Sequence, residues 1–172
     1  TLGSAIPFDV FVGLWFVAMV AVYVWMCGPF ALPFLAFLPV LMELGMGNIH
    51  LFLALAVVLG FRWPAAWAFV LLTKVTPGIG LLWFVARREW RSLAVALGTT
   101  VVIVTISTVL TPDLWVDWVR SLATTSQPDV SNVVAIPLSV RLIVAAMLVV
   151  WGARTDRRWT VMVAATISLP VV

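Results

Sequence analysis

The chain of 172 residues is 64% hydrophobic and only 10% charged, with a mean hydropathy of +1.18. No soluble domain of this length has that balance, so the sequence predicts an all-α, polytopic transmembrane helical bundle. The net charge of +3 lies mostly in arginine clusters, which read as topology signals rather than a nucleic-acid surface. A single cysteine (Cys27) and a single histidine (His50) argue against disulfides, a metal centre and a Ser-His-Asp triad.

Phe8 to Met26 has the length of a bilayer span, and no basic segment precedes it as in a signal peptide. Gly28 to Leu44 is apolar but carries Pro29, Pro33 and Pro39, so one straight helix is not expected. Gly47-Asn48-Ile49-His50 opens the next helix, with Asn48 as its N-cap, running to about Phe61. Trp63 to Ala86 follows, interrupted near Pro77. Ser92 to Leu110 is an unbroken span, and Leu138 to Ala153 and Trp159 to Val172 supply two more, the last incomplete. The chain begins at Thr1 and stops within an apolar stretch, so 1–172 reads as a single transmembrane domain cut from a longer protein.

Two arginine clusters, Arg87-Arg88-Glu89-Trp90-Arg91 and Arg154-Thr155-Asp156-Arg157-Arg158, are cytoplasmic by the positive-inside rule in a multi-pass plasma-membrane protein. The two crossings between them make the 111–137 segment extracytoplasmic. It starts Thr111-Pro112-Asp113, a capped helix start with a proline at its first position. Trp115, Trp118, Val119 and Leu122 then share one face while Asp113, Asp117 and Arg120 face away. That pattern predicts a short interfacial helix. If Trp63–Ala86 is a re-entrant hairpin broken at Thr76-Pro77-Gly78, Arg62 and Arg87 fall on the same side, and seven arginines lie inside against two outside, Arg120 and Arg141.

Lys74 is a lone cation within that apolar hairpin. Placing a charge there costs roughly 2.5 kcal/mol or more, and a broken helix persists in a membrane only against protein or a water-filled cavity. Lys74 is therefore a candidate for holding an anion such as a phosphate, the alternative being a snorkelling lysine or one paired with a freed carbonyl. Arg141, just inside a span, is either an interfacial anchor or a second phosphate ligand with a bidentate fork. Glu43, Asn48 and His50 bracket Gly45-Met46-Gly47, where they form either a solvated loop or a set that binds sugar hydroxyls and manages a proton. Asp113, Asp117 and Asp129 read as the wet side of a surface helix and loop, and Gln127, Ser131 and Asn132 as a polar loop. The tryptophans read mainly as interfacial belts.

Taken in order, Gly47-Asn48-Ile49-His50, Leu71-Leu72-Thr73-Lys74-Val75-Thr76-Pro77-Gly78, the arginine cluster at 87–91, Ser131-Asn132, Pro137-Leu138-Ser139-Val140-Arg141 and the stretch from Trp151 to Trp159 resemble the later helices of actinobacterial glycosyltransferase family 87. That is a GT-C type membrane family which includes polyprenol-phosphate-mannose-dependent α-mannosyltransferases. The resemblance implies an enzyme that moves a hexose, typically mannose, from a lipid-linked sugar donor to a glycolipid or polysaccharide acceptor. Transfer would occur on the extracytoplasmic side, among membrane lipids, with no cofactor. It makes Lys74 and Arg141 candidates for the donor phosphate, and Glu43, Asn48 and His50 candidates for the sugar or acceptor site. GT-C enzymes carry the catalytic carboxylate in an early extracytoplasmic loop that this chain does not show, so the general base is expected outside it. A small transporter or flippase-like subunit is the competing expectation, because broken helices and a buried charge also mark transporters.

Overall fold

A computed structural model describes residues 7–124 and 136–168, with the side chains of all but 122–124. Asp129, Gln127, Ser131 and Asn132 lie outside the described residues, as does the side chain of Leu122. Every regular element described is helical. Three helical stretches are long and apolar enough to cross a membrane: Phe8–Leu35, Trp90–Leu110 and Leu138–Thr155. The chain divides into two compact units, Thr1–Val58 and Leu59–Val172.

In the first unit, α1 (Phe8–Cys27) passes through a 3-10 turn at Gly28–Phe30 into the short α2 (Ala31–Leu35). The prolines break the run as expected: Pro29 and Pro39 sit near the starts of new elements, where a missing N–H costs nothing. Next comes α3 (Leu38–Met46), which ends on Gly47 at φ 67°, a left-handed cap that glycine adopts without a Cβ penalty. The following α4 (His50–Gly60) leaves at 103° to α3. Met19, Tyr23 and Leu44 form this unit's core, and the Tyr23 hydroxyl donates to Ala31 O at 2.5 Å, tying α1 to α2.

The second unit carries the hairpin. A 3-10 turn (Pro64–Ala66) leads into α5 (Trp67–Thr73); Lys74 is extended, and a 3-10 segment (Thr76–Leu81) continues as α6 (Leu82–Ala86). Each arm, Pro64–Thr73 and Thr76–Ala86, is about half the length that a bilayer needs. They fold back on one another. A Cβ on Gly78 would lie 2.5 Å from Leu71 Cδ2, Trp67 meets Phe84 edge-on at 6.3 Å, and Phe61 meets Trp83 at 5.2 Å. Arg62 and Arg87 consequently emerge at the same end of the hairpin. Pro77 removes the N–H that would have continued the helix onto Thr73 O. At the break the Thr73 hydroxyl donates back to Phe69 O at 2.6 Å.

The long α7 (Trp90–Leu110) turns at Thr111 into α8 (Pro112–Thr124), and α9 (Leu138–Thr155) pairs with α10 (Trp159–Ser168). Thr111 departs from its expected role. Its hydroxyl donates back to Ser107 O at 2.9 Å instead of capping α8. The α9–α10 pair buries Ala145, Val149, Gly152 and Ala153 on one helix and Thr160, Val161, Ala164 and Ser168 on the other, and Gly152 lies against the Thr160 side chain. Spacing of this kind lets two backbones approach closely where no water drives them together.

Candidate functional site

The Glu43, Asn48 and His50 set comes together at the α3–α4 bend. Asn48 Nδ2 donates to Glu43 Oε2 at 3.2 Å, and His50 Nδ1 lies 3.1 and 3.2 Å from the two Glu43 oxygens. A carboxylate only accepts, so the geometry assigns the proton to Nδ1. Asn48 is not the N-cap of α4, which begins at His50. Its side chain is spent on Glu43, while its backbone N–H joins that of Gly47 on Glu43 O, closing the end of α3. Trp15 adds a wall that the sequence did not signal: its indole N–H donates to Gly47 O at 2.9 Å and its ring meets Phe52 at a tilt, with centroids 4.8 Å apart. The bend thus presents a partly buried carboxylate, amide and imidazole beside an aromatic face, a combination suited to polyhydroxyl ligands.

Lys74 stands at the tip of the hairpin, as the C-terminal cap of α5, with its N–H on Val70 O. Its φ of −145° and ψ of 114° are those of extended backbone, which ends α5. Close by in sequence, the Thr76 hydroxyl oxygen is buried with no hydrogen-bond partner among the described residues. An unmet buried hydroxyl costs on the order of 1–3 kcal/mol, so a polar atom arriving at the tip would be bound in part by meeting it. Arg141 stands on the first turn of α9, a separate element of the same unit.

A groove of about 640 Å³ runs beside the hairpin tip, between Leu71 and Val75, Ile103 and Ser107 of α7, and Trp115 and Trp118 of α8. Threonines also line it, but Thr100 and Thr111 donate their hydroxyls to backbone carbonyls and Thr73 does the same, while Ser107 Oγ accepts from Trp115 Nε1 at 3.1 Å. With those hydroxyls engaged, the walls are effectively hydrocarbon. Of α8's expected apolar face, Trp115 and Trp118 join the groove and meet edge-on at 5.8 Å, while Asp117 and Arg120 form an exposed pair at 3.5 Å.

Residues 4–172 match the model of glycosyltransferase family 87. The chain belongs to that family. No curated protein and no solved structure matches it. Family 87 membership decides the class in favour of a membrane glycosyltransferase, acting on a sugar donor and an acceptor, over the transporter.

Sequence reasoning missed the seam that Arg87 makes. Its guanidinium binds Glu89 at 2.8 Å, Asp156 at 2.8 Å and Ala153 O at 3.2 Å, and lies over Trp83 at 5.4 Å. The only sequence signal was one acid within each arginine cluster.

Proposed function

We propose that this family 87 chain transfers a hexose, mannose in the first instance, from a polyprenyl-phosphate carrier to a glycolipid or polysaccharide acceptor on the extracytoplasmic side of the plasma membrane. The observation that carries this reading is the re-entrant hairpin, which sets a cation and a buried unmet hydroxyl at the tip of an apolar fold beside a hydrocarbon-walled groove. A lipid phosphate has these two halves, an anionic head and an isoprenoid chain.

In the reaction the acceptor hydroxyl oxygen attacks the anomeric carbon and the bond from that carbon to the phosphate oxygen breaks. The electron pair leaves with the polyprenyl phosphate, and the hydroxyl proton passes to a carboxylate supplied from outside the described residues. Lys74, with Arg141 as second ligand, offsets the charge that grows on the departing phosphate. Glu43, Asn48 and His50 hold hydroxyls of the sugar or acceptor. The arginine clusters are cytoplasmic and the 111–137 segment extracytoplasmic, which brings α8 to the outer interface above the groove.

The donor class is tested with membranes containing the whole protein, supplied with radiolabelled mannose either as polyprenyl-phosphate-mannose or as a nucleotide sugar with lipid-carrier synthesis blocked. Transfer from the lipid donor alone supports the reading; transfer from the nucleotide sugar alone overturns it.

Two further results are expected. Ile103→Trp, which fills the groove from a half-exposed position, should raise KM for the lipid donor by about tenfold or more with little change in kcat, since it removes ground-state contacts. Glu43→Ala should cost at most about 1 kcal/mol of stability, because the contact with His50 is partly exposed. The same change should lower transfer by at least about tenfold, through loss of the orientation of His50 and Asn48. Thermal unfolding alongside initial rates separates the two effects.

A further inference from the structure

The two arginine clusters and Arg62 collect at one end of the second unit. Arg87 reaches Asp156, Arg158 lies over Phe61 at 5.5 Å, and Phe61 packs on Trp83. Seven arginines (62, 87, 88, 91, 154, 157 and 158) meet two carboxylates there, Glu89 and Asp156, leaving five positive charges in excess. Both carboxylates are taken by the same residue, Arg87. Arg154 and Arg157 have no carboxylate within 4 Å among the described residues.

A topology signal requires only that charge be present. Here an apolar strip lies beside the charge. On one open face of α9, Ala146, Met147, Val150 and Trp151 follow one another and the strip ends on Arg154. Arg157 lies over the Trp151 ring at 5.1 Å, so two guanidinium groups flank the tryptophan at the end of the strip. The stripe is apolar for two turns and then cationic, the sequence of chemistry met along a glycerophospholipid from acyl chain to phosphate.

We propose that this face of α9 is a binding site for an anionic glycerophospholipid, with one acyl chain along Ala146, Met147 and Val150 and the headgroup phosphate held by Arg154 and Arg157. Guanidinium forks suit phosphate oxygens, and clusters of arginine next to a membrane span attract anionic lipid headgroups. The site is distinct from the hairpin tip, and the proposal does not depend on the donor reading.

The test uses the whole protein purified in detergent, with native mass spectrometry and titrated phosphatidylglycerol or phosphatidylcholine. The wild type should retain phosphatidylglycerol in preference to the zwitterionic lipid. Arg154→Gln with Arg157→Gln should weaken that retention by roughly 10- to 30-fold. Arg88→Gln with Arg91→Gln removes the same charge away from this face and should change it by less than about threefold. Restoration of retention by Arg154→Lys with Arg157→Lys would support a charge-based site and guard against misfolding of the glutamine variant. Equal losses in the two glutamine pairs, or equal retention of the two lipids by the wild type, would overturn the proposal. Displacement of bound lipid by millimolar inorganic phosphate would overturn it too, because it would mark a site for the phosphate ion alone.

Discussion

Lys74→Ala is expected to lower sugar transfer by about two to three orders of magnitude at matched folded levels, the range found when one positioned charge or donor is removed from a developing anion. The argument rests on where the lysine stands. The hairpin tip is flanked by apolar arms, so a charge there acts through little water, and its interaction with a departing phosphate exceeds that of a surface lysine. That phosphate gains charge as the glycosidic bond lengthens, so most of the loss should fall on kcat and a smaller part on KM. Lys74→Arg should recover part of the rate, since it keeps the charge but changes its shape. Single-turnover transfer from radiolabelled lipid donor measures this. A loss below about threefold would return Lys74 to a structural role as the cap of α5.

The largest structural effect is expected at Gly80. A Cβ there would run into the Trp67 ring and into Val161, joining both hairpin arms and α10 in one collision. Trp67, Val161 and Gly80 are all buried, and Trp67 is fully so, which leaves the ring nowhere to move. Gly80→Ala should destabilise by about 1–3 kcal/mol and Gly80→Val by more. For a chain of this size, Gly80→Ala should lower the unfolding midpoint by several degrees, at about 2–4 °C per kcal/mol. Gly98→Ala is the matched comparison, since nothing lies within 4 Å of the Cβ it would add, and it should be neutral or slightly stabilising. Thermal unfolding in one detergent, with both variants beside the wild type, measures the difference. Equal midpoints would contradict the packing of the hairpin against α10.

Much of this architecture could be read from residue types. Apolar length marked the spans of α1, α7 and α9, Pro77 and Gly78 marked the hairpin, and the arginine count favoured two arms leaving on one side. Phe61 against Trp83 and Leu71 against Gly78 show that folding back. Proline and charge are legible because each forbids something locally. The bend at Gly47 was only half legible: glycine permits a left-handed cap, but the 103° turn depends on how α3 and α4 pack. Asn48 illustrates the limit for polar residues. Its sequence position suits a cap, yet a carboxylate five residues earlier is close enough to take its amide. The same holds for Thr111, drawn back to Ser107 O. The Arg87–Asp156 bond joins residues 69 apart, and the acid within each arginine cluster did not say which arginine would reach it. The groove beside α8 escaped notice because it depends on three elements and on where each hydroxyl turns.

The central claim is that the hairpin tip receives the phosphate end of a lipid-linked sugar. It is tested most directly by photo-crosslinking. A polyprenyl-phosphate-mannose analogue with a diazirine in its first isoprene unit would be added to the whole protein in membranes, and the modified peptides mapped. The account predicts label within residues 71–78 and on the facing surfaces of α7 and α8, suppressed by excess unlabelled donor. Label that is competed by donor but falls elsewhere, with none in 71–78, would contradict it.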